Sequence, residues 1–325
     1  DKTVTEIIIP DFVTSIGECA FRGCSSLTSV VIGNGVTSIG DVAFFGCDSL
    51  TGIEIPDSVT SIGEGAFADC GSLTSVVIGD GVTSIGYAAF SNCSSLTSIT
   101  VSDSNTAYAS IDGNLYTKDE KTLLQYAIGK TAMSFTIPDS VTSIGHHAFY
   151  ECSNLTSVDI GDSVTSIGDN AFFNCSSLTS VVIPDSVTSI GEYAFYYCGS
   201  LTSVYITDIA AWCNISGLSN LMGQGSGNEN LYLNNELITE LVIPDGVTSI
   251  GGYAFHDCDS LTSVVIPDSV TSIGDSAFSW CDSLTSVYIT DIAAWCNITF
   301  GGSSANPLWY AKNLYLNNQP VTELL

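Results

Sequence analysis

A solenoid of stacked, closely similar coils is the fold class predicted by this 325-residue sequence, and three observations predict it. The phrase VTSIG that opens at Val13 returns at Val36, Val59, Val82, Val141, Val164, Val187, Val247 and Val270, in steps of 23 residues wherever the run is unbroken. Within each period the apolar residues fall at fixed offsets. Nine of the twelve cysteines occupy one offset, Cys24, Cys47, Cys70, Cys93, Cys152, Cys175, Cys198, Cys258 and Cys281. Self-similarity at a short fixed period marks repeats that bury their hydrophobic faces only against their neighbours.

Residues 27–49, LTSVVIGNGVTSIGDVAFFGCDS, give one period element by element. Leu27, Val30 and Ile32 have the L-x-x-L-x-L spacing of a leucine-rich repeat, whose strand lines one face. The prediction is a leucine-rich-repeat solenoid: 23-residue repeats stack a parallel β-sheet on one face, with mostly turns and short helical segments elsewhere. Val36, Ile39, Ala43, Phe44 and Cys47 close the coil as further inward positions. Gly40 and its equivalents Gly17, Gly63, Gly86, Gly145, Gly168, Gly191, Gly251 and Gly274 predict a turn with positive φ. The cysteine column is predicted to be free thiols packed as small hydrophobes. Neighbouring coils would be near enough to bridge, but parallel Cβ vectors and an odd count disfavour systematic pairing, and no C-x-x-C pair suggests zinc or redox chemistry.

Two acidic columns accompany these positions. Asp11, Asp57, Asp80, Asp139, Asp162, Asp185, Asp245 and Asp268 follow Pro or Gly and read as turn formers whose carboxylates bind backbone N–H groups. A row of weak calcium sites is the alternative, but no D-x-D-x-D-G loop is present. Glu18, Asp41, Glu64, Asp169, Glu192 and Asp275 precede the Ala-Phe pair and are expected to cap a short helical turn; Tyr87, His146 and Gly252 interrupt them.

Three steps exceed the period and predict enlarged coils at about 102–131, 207–237 and 290–320. The first, YASIDGNLYTKDEKTLLQYA, alternates like a hairpin turning near Lys118 to Lys121. The other two are near copies, opening with YITDIAAWCNI at Tyr205 and Tyr288 and returning through NLYLNN. Asp208 or Thr207, and Asp291 in the copy, are expected to cap a short helix that turns Trp212 and Trp295 into the core. Residues 1–325 thus read as a single solenoid. Because Val4-Thr5-Glu6-Ile7 and Val321-Thr322-Glu323-Leu324 repeat the internal phrase Ile238-Thr239-Glu240-Leu241, the expectation is a fragment of a longer chain without its signal peptide, caps and anchor.

The phrase IPDSVTSIGEYAFYYCGSLTSV resembles the BspA-like, or Treponema-type, leucine-rich repeat of bacterial cell-surface proteins, and the resemblance covers nearly the whole chain. It implies an extracellular, cell-surface location and a role as an adhesin or host-binding antigen. It implies no catalytic residues, because the family motif defines core positions.

Composition narrows the function further. Thirty-four acidic residues against six basic ones give a net charge of -28, which repels phosphate backbones and anionic lipid and argues against nucleic-acid partners. No apolar run approaches the ~20 residues that span a bilayer, so no membrane insertion is expected. Only His146, His147 and His256 are available as histidines, the last in a variable position read as exposed, and no H-E-x-x-H, P-loop, G-x-S-x-G or dinucleotide fingerprint occurs. The chain is therefore read as no enzyme, with no cofactor and no metal. Candidate ligand-binding residues are those that alternate outward along the strands: Ile8, Val31, Glu54, Val77, Thr100, Thr136, Asp159, Val182, Tyr205, Val242, Val265 and Tyr288. An apolar stripe on a surface marks protein contacts. The expected function is adhesion through a protein ligand, host extracellular matrix or mucin. A passive stalk or spacer is the alternative, as is glycan binding through Tyr205, Tyr288 and the tryptophan-bearing coils if those rings are exposed.

Overall fold

The computed structural model describes residues 4–223 and 230–322 and forms the predicted leucine-rich-repeat solenoid. Residues 224–229 of the second enlarged coil, and Glu323, Leu324 and Leu325 of the closing phrase, lie outside the described residues. Two compact units result: one of Asp1–Met133, Pro138–Leu155 and Ile167–Ser176, the other of Ser134–Ile137, Thr156–Ser166 and Ser177–Leu325.

In the first unit Glu6–Ile9 pairs in parallel with Ser29–Ile32, and Gly52–Ile55, Ser75–Ile78 and Ser98–Val101 form a second parallel ladder. In the second unit Ser134–Thr136, Ser157–Asp159, Ser180–Val182 and Ser203–Ile206 pair in sequence, and Glu240–Val242, Ser263–Ile266 and Ser286–Ile289 repeat the arrangement. Partners are one repeat apart, so equivalent positions face each other and bury the same side. Val30 and Ile32 are buried while Val31 between them is exposed. Beneath the strands the leucines are fully buried, and the Ala-Phe position stacks its rings coil on coil, Phe21, Phe44, Phe67 and Phe90 at centroid spacings of 5.1, 5.1 and 5.7 Å.

The threonines that make the repeats look hydroxyl-rich are structural. Each donates its hydroxyl to the carbonyl of the threonine one coil earlier: Thr74 to Thr51 at 2.8 Å, Thr37 to Thr14 at 3.0 Å, and in the second unit Thr262 to Thr239 at 2.8 Å. The amide of the same residue donates to the same carbonyl, as Thr74 N to Thr51 O at 2.9 Å. A serine could offer the hydroxyl; threonine adds a β-branched side chain suited to extended backbone.

The conserved-offset glycines serve a different purpose from the one the sequence suggested. None of Gly17, Gly40, Gly63, Gly86, Gly145, Gly168, Gly191, Gly251 and Gly274 has positive φ. Gly40, Gly63 and Gly86 are close-approach positions, where a Cβ would lie 2.6, 2.5 or 2.4 Å from the amide nitrogen of Glu18, Asp41 or Glu64 in the preceding coil; at Gly17 nothing lies near. The left-handed residues come two and six positions later, at Val42 (φ 47°) and Gly46 (φ 65°), or His147 and Glu151 (both φ 58°). Between them the chain makes successive turns rather than a helix, and alternate amides reach the next coil: Val42 N to Glu64 O, Phe44 N to Ala66 O and Gly46 N to Ala68 O, at 2.7, 2.7 and 2.9 Å. The second acidic column accordingly caps no helical turn. Asp41 Oδ1 accepts the amide of Glu64 in the following coil at 2.8 Å. The first column bonds likewise, Asp57 Oδ1 accepting from Asp80 N at 2.9 Å.

The enlarged coils keep this stacking by adding antiparallel pieces. In the first, Asn114–Thr117 and Thr122–Gln125 make the expected hairpin across residues 118–121, and Tyr108–Ile111 adds a third antiparallel strand. Its entry hangs on the buried Asn105, which donates to the carbonyls of Gly79 and Val82 and accepts from the amides of Ala107 and Tyr108. In the other two, helices α1 (Ile209–Cys213) and α2 (Ile292–Cys296) are capped by Asp208 and Asp291; Thr207 donates to Asp185 instead. Trp212 and Trp295 are buried as expected, and Trp212 Nε1 donates to Ala254 O at 2.7 Å. NLYLNN supplies an additional strand, Asn230–Leu233 or Asn313–Leu316, parallel to the strand before it. A two-residue turn with both asparagines left-handed, Asn234–Asn235 or Asn317–Asn318, then folds back a short antiparallel strand.

Gly63→Ala is expected to destabilise the first unit by about 2 kcal/mol or more, the range of strained core substitutions. At Gly46, where only Gly23 Cα lies near an added Cβ, at 3.9 Å, alanine is expected to cost about 1 kcal/mol for its left-handed φ alone. Urea titrations of the two variants compare the two glycine roles directly.

Candidate functional site

The strand face is where the predicted site residues are found, and the ladders sort them into groups. Val31 stands beside Ile8. Glu54, Val77 and Thr100 form one row in the first unit. In the second unit Thr136, Asp159, Val182 and Tyr205 form another, and Val242, Val265 and Tyr288 a third. The envisaged twelve-strand strip is therefore divided into separate hydrogen-bonded ladders. Val31 and Val242 are 54% and 61% exposed, whereas Tyr205, Val265 and Tyr288 are half-buried. The tyrosines are half-covered because each stacks on a second tyrosine from the added strand, Tyr205 on Tyr232 and Tyr288 on Tyr315, both with centroids 4.7 Å apart. Sequence register missed Tyr232 and Tyr315. The Leu-Tyr-Leu alternation of NLYLNN, with Tyr flanked by inward residues, was the available signal. The outcome is a twice-repeated outward row, Val182–Tyr205–Tyr232 and Val265–Tyr288–Tyr315.

A second set of exposed aromatics lies on the turns. Tyr193, Tyr197 and Trp280 are 51%, 60% and 61% exposed, and all three have left-handed φ, as has the half-buried Tyr253. These offsets are fixed but the residue types at them vary from coil to coil, and this variability hid the cluster from a reading built on the repeat. His256, expected to be exposed, is half-buried and stacks on Tyr253 at 5.1 Å; burial holds it below the ordinary imidazole range.

In the first unit His146 Nδ1 accepts the amide of Asp169 at 2.9 Å and lies 3.3 Å from its carboxylate. The adjacent His147 sits edge-on to Tyr87, with centroids 4.3 Å apart, and its Nδ1 is buried without a hydrogen bond. Burial first, and the neighbouring His146 second, lower His147 to about 4. The cysteine column is free, and its thiols donate to a phenylalanine carbonyl of the preceding coil, as Cys93 Sγ to Phe67 O at 3.1 Å. Burial raises Cys93 and Cys281 to about 12 and Cys152 to about 11. Cys24 is the half-buried member, while Cys19 and Cys296 outside the column are exposed. Among the described residues no three His, Cys, Asp or Glu side chains converge as metal ligands, and no helix is long and apolar enough to cross a membrane.

Parallel ladders repeating every 23 residues over a leucine and phenylalanine core define a leucine-rich-repeat scaffold protein. The BspA type leucine rich repeat model matches residues 1–118, 127–215 and 228–311, and the chain belongs to that family. Among solved structures it is similar to a leucine-rich repeat protein from Eubacterium ventriosum at 26% identity and a TM-score of 0.63, covering 98% of this chain and 87% of that one. A Bacteroides ovatus leucine-rich repeat protein matches at 27% identity and a TM-score of 0.58, covering 91% and 83%. The pneumococcal vaccine antigen PcpA shares the fold at 21% identity and a TM-score of 0.55, covering 99% and 80%. No curated protein matches this chain.

Two measurements test these environments. A base whose folded pKa is depressed contributes stability that is present above its unfolded value and lost as pH falls through the folded one. His147, near Tyr87, His146 and Asp169, is therefore expected to lower the urea midpoint as pH falls from 6.5 towards 4. His147→Asn, which tolerates the left-handed φ, should flatten that slope. Labelling by a thiol-reactive disulfide at pH 8 is expected to be fast at Cys19 and Cys296 and to reach the buried column thiols only on unfolding.

Proposed function

We propose that this protein is a non-catalytic, extracellular cell-surface binding module that uses its strand face for adhesion to a protein ligand, host extracellular matrix or mucin being the class in view. The observation that carries the reading is the twofold occurrence of an outward Val–Tyr–Tyr row on a rigid parallel ladder, with the rings stacked in pairs. Stacked tyrosines offer a large contact area with few rotatable bonds and a hydroxyl at the rim, the character of hot-spot residues at interfaces. Val31, Val77 and Val182 extend exposed apolar surface on other coils, and Glu54, Thr100, Thr136 and Asp159 place polar groups around it. Solubility does not require an outward valine or tyrosine at these positions. Family membership supports the surface location and the scaffold role.

The glycan reading loses its two tryptophans, since Trp212 and Trp295 are buried. The spacer reading remains the competitor, and binding decides between them. Biolayer interferometry against immobilised matrix proteins and mucin is expected to give saturable binding that Tyr205→Ala combined with Tyr288→Ala weakens tenfold or more, about 1.4 kcal/mol. Silence across the panel would leave the spacer as the function.

A further inference from the structure

The two tyrosine rows of the strand face extend beyond three residues. The returning strands place Leu237 opposite Tyr232 and Pro320 opposite Tyr315, and directly opposed residues of an antiparallel pair project from the same face. Both are exposed. The rows therefore run Val182–Tyr205–Tyr232–Leu237 and Val265–Tyr288–Tyr315–Pro320, each an apolar strip across four strands, about 15 Å long at the usual strand spacing.

Charge around these strips has one sign. Of the six basic residues of the chain, Lys312 alone belongs to the second unit, where it precedes the strand Asn313–Leu316. Carboxylates border both rows. Asp159 stands before Val182 in the ladder, and Glu240, two residues before Val242, is on the outward face in register with Ser263. Along the edge where the strands end, the exposed Asp185 and Asp268 accept the hydroxyls of Thr207 and Thr290, the residues two beyond Tyr205 and Tyr288. Each bond uses one carboxylate oxygen and leaves the charge in place. Asp208 and Asp291 follow on the same edge as exposed helix caps.

An apolar strip bordered by carboxylates discriminates between partner chemistries. A sialylated or sulfated glycan chain brings its own negative charge to a protein of net charge -28 and is repelled. A purely apolar partner gains the strip but desolvates the bordering carboxylates without compensation. Lysine and arginine fit both parts. Their methylene stems lie along apolar surface while the cationic heads reach beyond it, here towards the carboxylates of the border, and arginine donates to carboxylate and phenol oxygens alike.

We infer that the partner of the strand face is a lysine- and arginine-rich protein segment, its stems on the tyrosine strips and its cations against Asp159, Asp185, Asp268 and Glu240. The inference rests on the strand-face reading above and narrows it, favouring a basic matrix segment over mucin.

Biolayer interferometry on the whole chain tests it with a synthetic peptide alternating Lys or Arg with Leu, with the same peptide carrying glutamine or glutamate in place of the cations, and with mucin before and after desialylation. Saturable binding is expected for the basic peptide alone, weakening tenfold or more between about 0.05 M and about 0.5 M NaCl. Asp159→Asn, Asp185→Asn, Asp268→Asn and Glu240→Gln together keep the oxygen acceptors and are expected to weaken it at least tenfold. Tyr205→Ala with Tyr288→Ala should do the same in protein that stays folded by circular dichroism. Asp11→Asn, Asp48→Asn, Asp57→Asn and Asp80→Asn remove equal charge from the first unit and should leave the affinity within twofold. Binding weakened equally by the first-unit changes, or surviving the tyrosine variant, is diffuse adsorption to net charge and would overturn the inference. A matrix protein, mucin or uncharged peptide that binds through the tyrosines where the basic peptide does not would overturn it and leave the strand-face reading standing; silence from every probe would sink both.

Discussion

Each coil of this protein satisfies its polar backbone in the neighbouring coils, and that single constraint fixes most of its sequence. A 23-residue turn of chain has no regular structure of its own in which to pair its amides. Strand amides go to the parallel neighbour, threonine amides and hydroxyls go together to the threonine carbonyl one coil earlier, and alternate turn amides go to the coil that follows. Because unpaired buried backbone is expensive, the period cannot drift by even one residue without misaligning all of these ladders together.

The requirement extends to side chains. Gly63 is glycine because the coils approach so closely that a Cβ would overlap the Asp41 amide. Asp41 and Asp57 are carboxylates because each meets an amide of the following coil. Cys93 combines the small volume of a core hydrophobe with a donor aimed at the Phe67 carbonyl. The second and third enlargements obey the rule too, since the strand each adds enters in parallel register and ends in an Asn-Asn turn that returns the chain.

Much of this was legible in the sequence, because inward positions carry the same residue or a close apolar substitute at nearly every occurrence. The strands, the buried leucines and Phe rings, the free thiols and the Asp208 and Asp291 caps follow from spacing and chemistry alone. Conformation at Gly40 did not follow. A recurrent glycine is consistent with positive φ or with close approach, and only the neighbouring coil distinguishes them. The true left-handed positions, Val42 or His147 among them, vary in type because the flanking hydrogen bonds to the next coil impose the conformation. Tyr232 and Tyr315 escaped notice because their strands begin 27 residues after the preceding ones rather than 23, outside the periodic frame.

Function in such a molecule is confined to what stacking does not use. The inward positions, the threonine hydroxyls, the close-approach glycines and most acidic caps are committed to neighbouring coils. What remains free is the outward residue of each strand and the side chains at the two left-handed turn positions. Both are where the coils diverge most, from Glu54 to Tyr205 on the strands and from Gly65 to Tyr253 on the turns. A spacer alone would place no demand on these positions, and glycine or asparagine would hold the turns at lower conformational cost. Large aromatic side chains at Tyr193, Tyr197, Tyr253 and Trp280 oppose that local preference at four separate positions in one unit. Because next-coil hydrogen bonds hold these turns left-handed in every coil, whatever residue sits there, the aromatic side chains are free to vary without cost to the stack.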